Sequence, residues 1–289
     1  MRLLVIGGGH FLGPAVVRAG LGAGHVVTTL TRSGLGVPAG AQSLLGDRET
    51  AEGLSVLRGG EWDAVVDTCG YVPRMVGTGA RALADVAGHY VFVSSISAYD
   101  GWPERLVTAD TPLLACPADA GPDDGGYGEL KAGCERAVLE YLPGRCMVAR
   151  VGHLVGIGDN VGRLPYWIRR VARGGEVLAP GPPQRPLSMV DVRDVGTWLV
   201  ECGQSRLAGA MAASGPPGQT SFGCVVRRRR GSNRIGPDVR LGRRRLPARS
   251  GGRTVAGTAV LVARGAVPRR GGRRHLGRPG RRAGLSAGV

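Results

Sequence analysis

Arg2-Leu3-Leu4-Val5-Ile6 is a short apolar run that passes directly into Gly7-Gly8-Gly9-His10-Phe11-Leu12-Gly13, and the stretch from Pro14 to Ala23 that follows is helical in character. Few folds begin this way. A buried strand, a glycine-rich turn and a helix in that order form the opening of a dinucleotide-binding unit. The glycines let the backbone approach a pyrophosphate, and the helix N-terminus offers its free N–H groups to the negative charge. Gly7, Gly9, His10, Phe11, Leu12 and Gly13 are therefore candidate cofactor-binding residues.

The following segments repeat the alternation. His25–Thr31, Gln42–Leu45, Ala64–Asp67 and His89–Val93 read as strands, a helix is expected from near Glu49 and another over Met75–Ala87, and Cys146–Val151 reads as a sixth strand. Strands alternating with helices at this spacing predict an α/β chain built on a doubly wound parallel sheet. Ligands of such sheets bind outside the carboxyl ends of the strands. Those ends carry Arg32-Ser33, Asp47-Arg48, Thr68-Cys69-Gly70 and Ser94-Ser95. No acid follows the second strand to hold ribose hydroxyls, so Arg32 and Ser33 favour NADP(H) over NAD(H); the plainer reading is a surface turn with one arginine. Asp47 either meets the adenine amino group or caps the next helix.

Lys131 is the only lysine of the chain, against 37 arginines. A lone lysine marks a place where a compact ammonium is needed and a guanidinium fork will not serve. Tyr127 lies four residues upstream, on the same face of a helix. An ammonium beside a phenol favours the phenolate, so the spacing predicts a lowered Tyr127 pKa and an acid/base group. Taken alone, Tyr-x-x-x-Lys is equally an amphipathic helix with one buried tyrosine. The strand-end residues around it tip the reading toward chemistry.

The net charge of +16 suggests a nucleic-acid binder until it is located. Residues 1–223 hold 19 basic and 21 acidic residues, whereas residues 224–289 hold 19 arginines and a single acid, Asp238. The six cysteines are scattered with no Cys-x-x-Cys pair, which implies neither a metal site nor a disulfide framework. No apolar run approaches membrane-spanning length and none reads as a signal peptide, so the expected location is cytoplasmic.

These motifs together resemble the extended short-chain dehydrogenase/reductase superfamily of the NAD-dependent epimerase/dehydratase type. Within it, they are most similar to actinobacterial reductase-like members labelled by likeness to 2′-hydroxyisoflavone reductase. The likeness covers roughly residues 1–223 and rests on the Gly7–Gly13 turn, Asp67–Tyr71, Ser94-Ser95 with Tyr99, Tyr127/Lys131 and Asp191–Val195. It implies a Rossmann-type domain over 1–151, with a small substrate lobe and returning elements over 152–223. It also implies that Ser95 bonds a substrate oxygen, Tyr127 moves its proton, and Lys131 holds the nicotinamide ribose. Arg48 and Gly152 join the cofactor-binding set, and a small-molecule substrate and a homodimer are expected. His10 stands where a third glycine is usual, Asp67 where His or Asn is usual, and Val151 where proline commonly follows Arg150. Ile96-Ser97 replaces the Asp-Glu pair of sugar-nucleotide dehydratases. Carbonyl or enone reduction is therefore the leading expectation, with sugar-nucleotide epimerisation behind it.

Residues 224–289 contain 13 glycines, no aromatic residue and no lysine. Low hydrophobicity with high charge predicts disorder. One reading is an arginine-rich arm on a Rossmann scaffold, binding nucleic acid through phosphates. The blander one is a changed reading frame near Phe222–Cys224, which in GC-rich DNA yields Arg, Gly and Pro runs. One back-translation of Arg253–Ala263, read a base later, gives an aromatic, proline-flanked segment of the kind expected near this superfamily's C-terminus. On that view any nucleic-acid binding by the tail is non-specific.

Overall fold

The computed structural model describes residues 1–105, 107–173, 184, 186–215 and 220–227. The arginine-rich stretch from 228 onward, and with it the expectations placed there, lies outside the described residues. In chain order the elements are β1 (Arg2–Ile6), α1 (Leu12–Gly22), β2 (Val26–Thr31), β3 (Gln42–Leu45), α2 (Ala51–Ser55), β4 (Ala64–Asp67), α3 (Pro73–Leu83) and β5 (Tyr90–Ser95). A 3₁₀ turn, Ile96–Ala98, leads to a long loop and then α4 (Tyr127–Tyr141), β6 (Cys146–Val151), β7 (His153–Val155) and α5 (Arg163–Ala172). The rest comprises β8 (Pro186–Leu187), β9 (Met189–Asp191), α6 (Val192–Gln204), β10 (Gly209–Ala213), β11 (Thr220–Ser221) and α7 (Phe222–Arg227).

Seven strands form one sheet in the order β10-β6-β5-β4-β1-β2-β3, and every neighbouring pair is parallel. Strand order reverses after β3, as a doubly wound sheet requires. The central strands β4 and β5 are buried along their whole length, which is why they read as unbroken apolar runs rather than as alternation. On β1, Leu3 and Val5 join the cluster beneath α1 and α6, while Leu4 and Ile6 join the one beneath α3 and α4. Period-two alternation thus feeds two cores from one strand. Burying each such side chain contributes about 1.5–3 kcal/mol.

The structure revises several sequence-based boundaries. The helix expected near Glu49 runs Ala51–Ser55 and is capped by Thr50, whose side chain accepts from the Gly53 N–H at 3.0 Å; Asp47 is not its cap. The helix expected over Met75–Ala87 begins earlier, at Pro73, a residue suited to the first helical position because its missing N–H has no intrahelical partner there. The fifth strand runs on through Ser95. A seventh sheet strand, β10, pairs with β6 from Gly209↔Met147 to Ala213↔Val151; its glycine- and alanine-rich sequence carries little strand signal. The boundary drawn at residue 224 falls inside α7.

Candidate active site and dinucleotide cleft

At the carboxyl ends of β1, β2 and β3 a cavity of about 360 Å³ opens. Gly7, Gly9, His10, Arg32, Ser33, Asp47, Arg48, Thr68 and Cys69 all line it. The turn that builds its floor depends on a close approach at Gly13, where a Cβ would fall 2.0 Å from the Gly7 carbonyl oxygen. Only glycine lets α1 begin so near the end of β1. The left-handed residue of the turn is Phe11, which adopts φ +43°; His10 is exposed and its carbonyl accepts from the Gly13 N–H at 2.9 Å. Phe11, Leu12, Gly13 and Gly70 do not line the cavity.

Around the second strand end, the Thr31 hydroxyl accepts from Gly34 N–H at 2.9 Å and the Ser33 hydroxyl from Leu35 N–H at 3.4 Å. Arg32 is exposed at the cavity wall. Gly152 follows the carboxyl end of β6 and does not line the cavity; its N–H donates to the Ala213 carbonyl at 2.8 Å and a Cβ would press on Ser214.

Asp67 does not face the cleft. It is fully buried and accepts from Arg48 Nη1 at 2.5 Å, the Tyr90 hydroxyl at 2.8 Å and the Cys69 N–H at 3.1 Å. The departure from His or Asn at this position therefore serves the core: it fixes the Thr68–Gly70 turn from beneath. Arg48, expected to bind cofactor, spends Nη1 on this carboxylate, and its buried Nε and Nη2 have no partner among the described residues. Burial works against its charge, but Asp67 outweighs that and holds the Arg48 pKa well above the ordinary arginine value.

Ser95, Tyr127 and Lys131 come together beside the cleft, outside the cavity lining. Ser95 ends β5 and its oxygen accepts from the Ser97 N–H at 3.1 Å. Tyr127 opens α4, and Gly128 explains how it arrives there, since a Cβ at that position would lie 2.2 Å from the Ser97 carbonyl oxygen. The helix can rest on the loop after β5 only with glycine at its second residue. Lys131 is buried; its Nζ donates to the carbonyls of Gly70 at 2.7 Å and Val93 at 2.6 Å, with the Phe92 ring centroid 4.7 Å away. Burial lowers its pKa.

The lowered phenol pKa expected from the Tyr/Lys spacing is corrected by this geometry. Desolvation raises the Tyr127 pKa, and a hydrogen bond from Ser95 and the charge of Arg163 only partly oppose it. The reason is direction: the ammonium is turned toward two backbone carbonyls and not toward the phenol.

One turn beyond Lys131, Glu135 was missed by sequence reasoning. Its buried carboxylate accepts from the Ser94 hydroxyl and from Arg150, at 3.1 Å from Nε and 2.7 Å from Nη2. Arg150 also donates to the Tyr99 hydroxyl at 3.0 Å. The spacing Tyr127, Lys131, Glu135 marks a single helix stripe facing the sheet, and that signal was present in the sequence.

The fold, a glycine turn and flanking helices on a seven-stranded parallel sheet of Rossmann type, is shared with solved epimerases and reductases. Among solved structures, a UDP-glucose 4-epimerase superposes with a TM-score of 0.65 at 16% identity, over 85% of this chain and 86% of that one. The enzyme WbmH of Bordetella bronchiseptica, solved with NAD⁺, gives 0.62 at 17% identity over 83% and 85%. A dTDP-4-dehydrorhamnose reductase of Clostridium acetobutylicum gives 0.58 at 15% identity over 74% of each chain. No protein-family profile and no curated protein matches this chain. Among the described residues, no helix is long and apolar enough to cross a membrane.

Proposed function

We propose that this chain is an NAD(P)-dependent oxidoreductase of the extended short-chain type, which reduces a carbonyl or enone of a small molecule. The observation that carries the reading is the meeting of Ser95, Tyr127 and Lys131 at the end of β5, beside a cavity built on the glycine turn. The donor set suits a dinucleotide: glycine backbone at a helix N-terminus for phosphates, and Arg32 with Ser33 where a 2′-phosphate would lie, which favours NADP(H) over NAD(H). Residues 1–151 would hold the dinucleotide, and residues 152–223 would cover the substrate.

When bound, the nicotinamide supplies or accepts the hydride. The chain's own groups handle the proton. Ser95 donates to the substrate oxygen, and the Tyr127 hydroxyl, protonated at neutral pH as any phenol is, gives up its proton to that oxygen as charge develops. An ammonium has three donors. Lys131 commits two to Gly70 and Val93, leaving one for a ribose hydroxyl or the phenol. Epimerisation is the second reading, because the fold is shared with sugar-nucleotide epimerases. The absence of an acid at Ile96-Ser97 argues against dehydration.

Tyr127→Phe separates these roles. Hydride transfer to a carbonyl panel should fall at least a hundredfold, while the NADPH dissociation constant stays within about twofold. Unchanged turnover would end the acid/base assignment. Inversion of a sugar-nucleotide carbon with no net NADPH consumption would replace reduction by epimerisation.

A further inference from the structure

The glycine turn accounts for one wall of the cleft. We propose that Asn160, on the loop between β7 and α5, closes the opposite wall and donates hydrogen bonds to the pyrophosphate of a bound dinucleotide. This rests on the dinucleotide reading above and adds a residue from the irregular segment that follows β6 and β7.

Asn160 lines the same cavity as Gly7, Gly9 and His10. Its loop is seated on the glycine turn: a Cβ at Gly158 would lie 3.9 Å from Phe11 Cα and 4.0 Å from Phe11 Cδ2, ordinary van der Waals contact. Phe11 immediately precedes α1, so this packing brings the Asn160 loop to the glycine turn, and the cavity that Asn160 shares with Gly7, Gly9 and His10 is where a phosphate held by that turn would lie.

The loop is also braced from within. Asp159 Oδ1 accepts from the Val161 N–H at 3.0 Å and the Gly162 N–H at 2.9 Å, and the Asp159 N–H donates to the Gly156 carbonyl at 3.3 Å. These bonds brace the loop around Asp159, and of the two neighbouring side chains it is Asn160 that lines the cavity. The Asn160 side chain makes no hydrogen bond to any described residue. Its amide carries two N–H donors and no charge, which suits a doubly charged diester already facing a helix terminus. An acid at this position would repel the same ligand.

The test titrates the full chain and its Asn160→Ala and Asn160→Asp variants with NADPH, NADH, ADP and 2′-AMP, followed by calorimetry or tryptophan fluorescence. Asn160 is exposed, so both variants should melt with the wild type. Loss of a hydrogen bond to a charged group should weaken NADPH, NADH and ADP by roughly ten- to hundredfold in Asn160→Ala. Asn160→Asp should weaken them further, with a loss that shrinks as salt rises. Binding of 2′-AMP, which has no pyrophosphate, should stay within about twofold. Unchanged ADP binding, or a loss confined to ligands with a 2′-phosphate, overturns the clasp while leaving the dinucleotide reading in place. A wild-type chain that binds none of the four overturns both.

Discussion

Asp67 is the position at which a single atom change tests the buried architecture most severely. Its carboxylate has no solvent exposure and accepts three hydrogen bonds, one of them from a guanidinium that is itself nearly buried. Asp67→Asn keeps the shape and leaves a carbonyl oxygen for Arg48 and Cys69, so the loss is almost purely one of charge. Arg48 cannot escape by neutralising, because arginine remains protonated at any accessible pH. Its Nε and Nη2 already lack partners. Breaking a buried pair from one side costs about 3–5 kcal/mol, a large share of the ~5–15 kcal/mol that holds a typical domain together. At about 2–4 °C per kcal/mol for a domain of this size, the melting midpoint should fall by roughly 6–20 °C. Guanidinium unfolding followed by circular dichroism measures the change. The double variant Arg48→Met/Asp67→Asn removes the orphan charge together with its partner. It should therefore be more stable than Asp67→Asn alone, with a coupling of several kcal/mol. A cost below about 1 kcal/mol for Asp67→Asn, or a double variant whose cost equals the sum of the singles, would refute the reasoning.

Two further outcomes are expected. Arg32→Ala should weaken NADPH binding about tenfold or more and leave NADH nearly unchanged, as read by fluorescence titration; equal losses would remove Arg32 from the 2′-phosphate site. In the cofactor-free chain, burial raises the Tyr127 pKa and the Ser95 hydrogen bond opposes that rise. The tyrosinate absorbance assigned by difference from Tyr127→Phe should therefore appear only above pH 10, and Ser95→Ala should move it to still higher pH. A shift to lower pH would show that Ser95 does not bond the phenol.

The sheet was legible because its signals are local. β3, β4 and β6 fall on the residues the apolar runs mark, and their parallel pairing follows from the helices between them. The glycine turn declared itself at Gly7–Gly13. Two features were hidden for physical reasons. β10 is glycine and alanine but for Met211, so its strand character comes from pairing with β6 more than from its own side chains. Asn160 belongs to an irregular loop with no period to read, and only the packing of Gly158 on Phe11 brings it to the cleft.

Tyr127 and Lys131 show where local reading stops. By itself the sequence determined that the two share a helix face, since spacing is a property of the chain. It also determined the alternation of the first six sheet strands with their helices, which leaves a doubly wound parallel sheet as the natural way to bury unbroken apolar strands on both faces. Only the tertiary structure decided which way each polar group turns. It sends Lys131 Nζ to two backbone carbonyls, Asp67 down to Arg48 and Tyr90, and Glu135 across to Arg150. The reason is that a buried charge must find its partners wherever the packed elements place them, and those partners lie on other strands and helices, beyond the reach of any pattern along the chain.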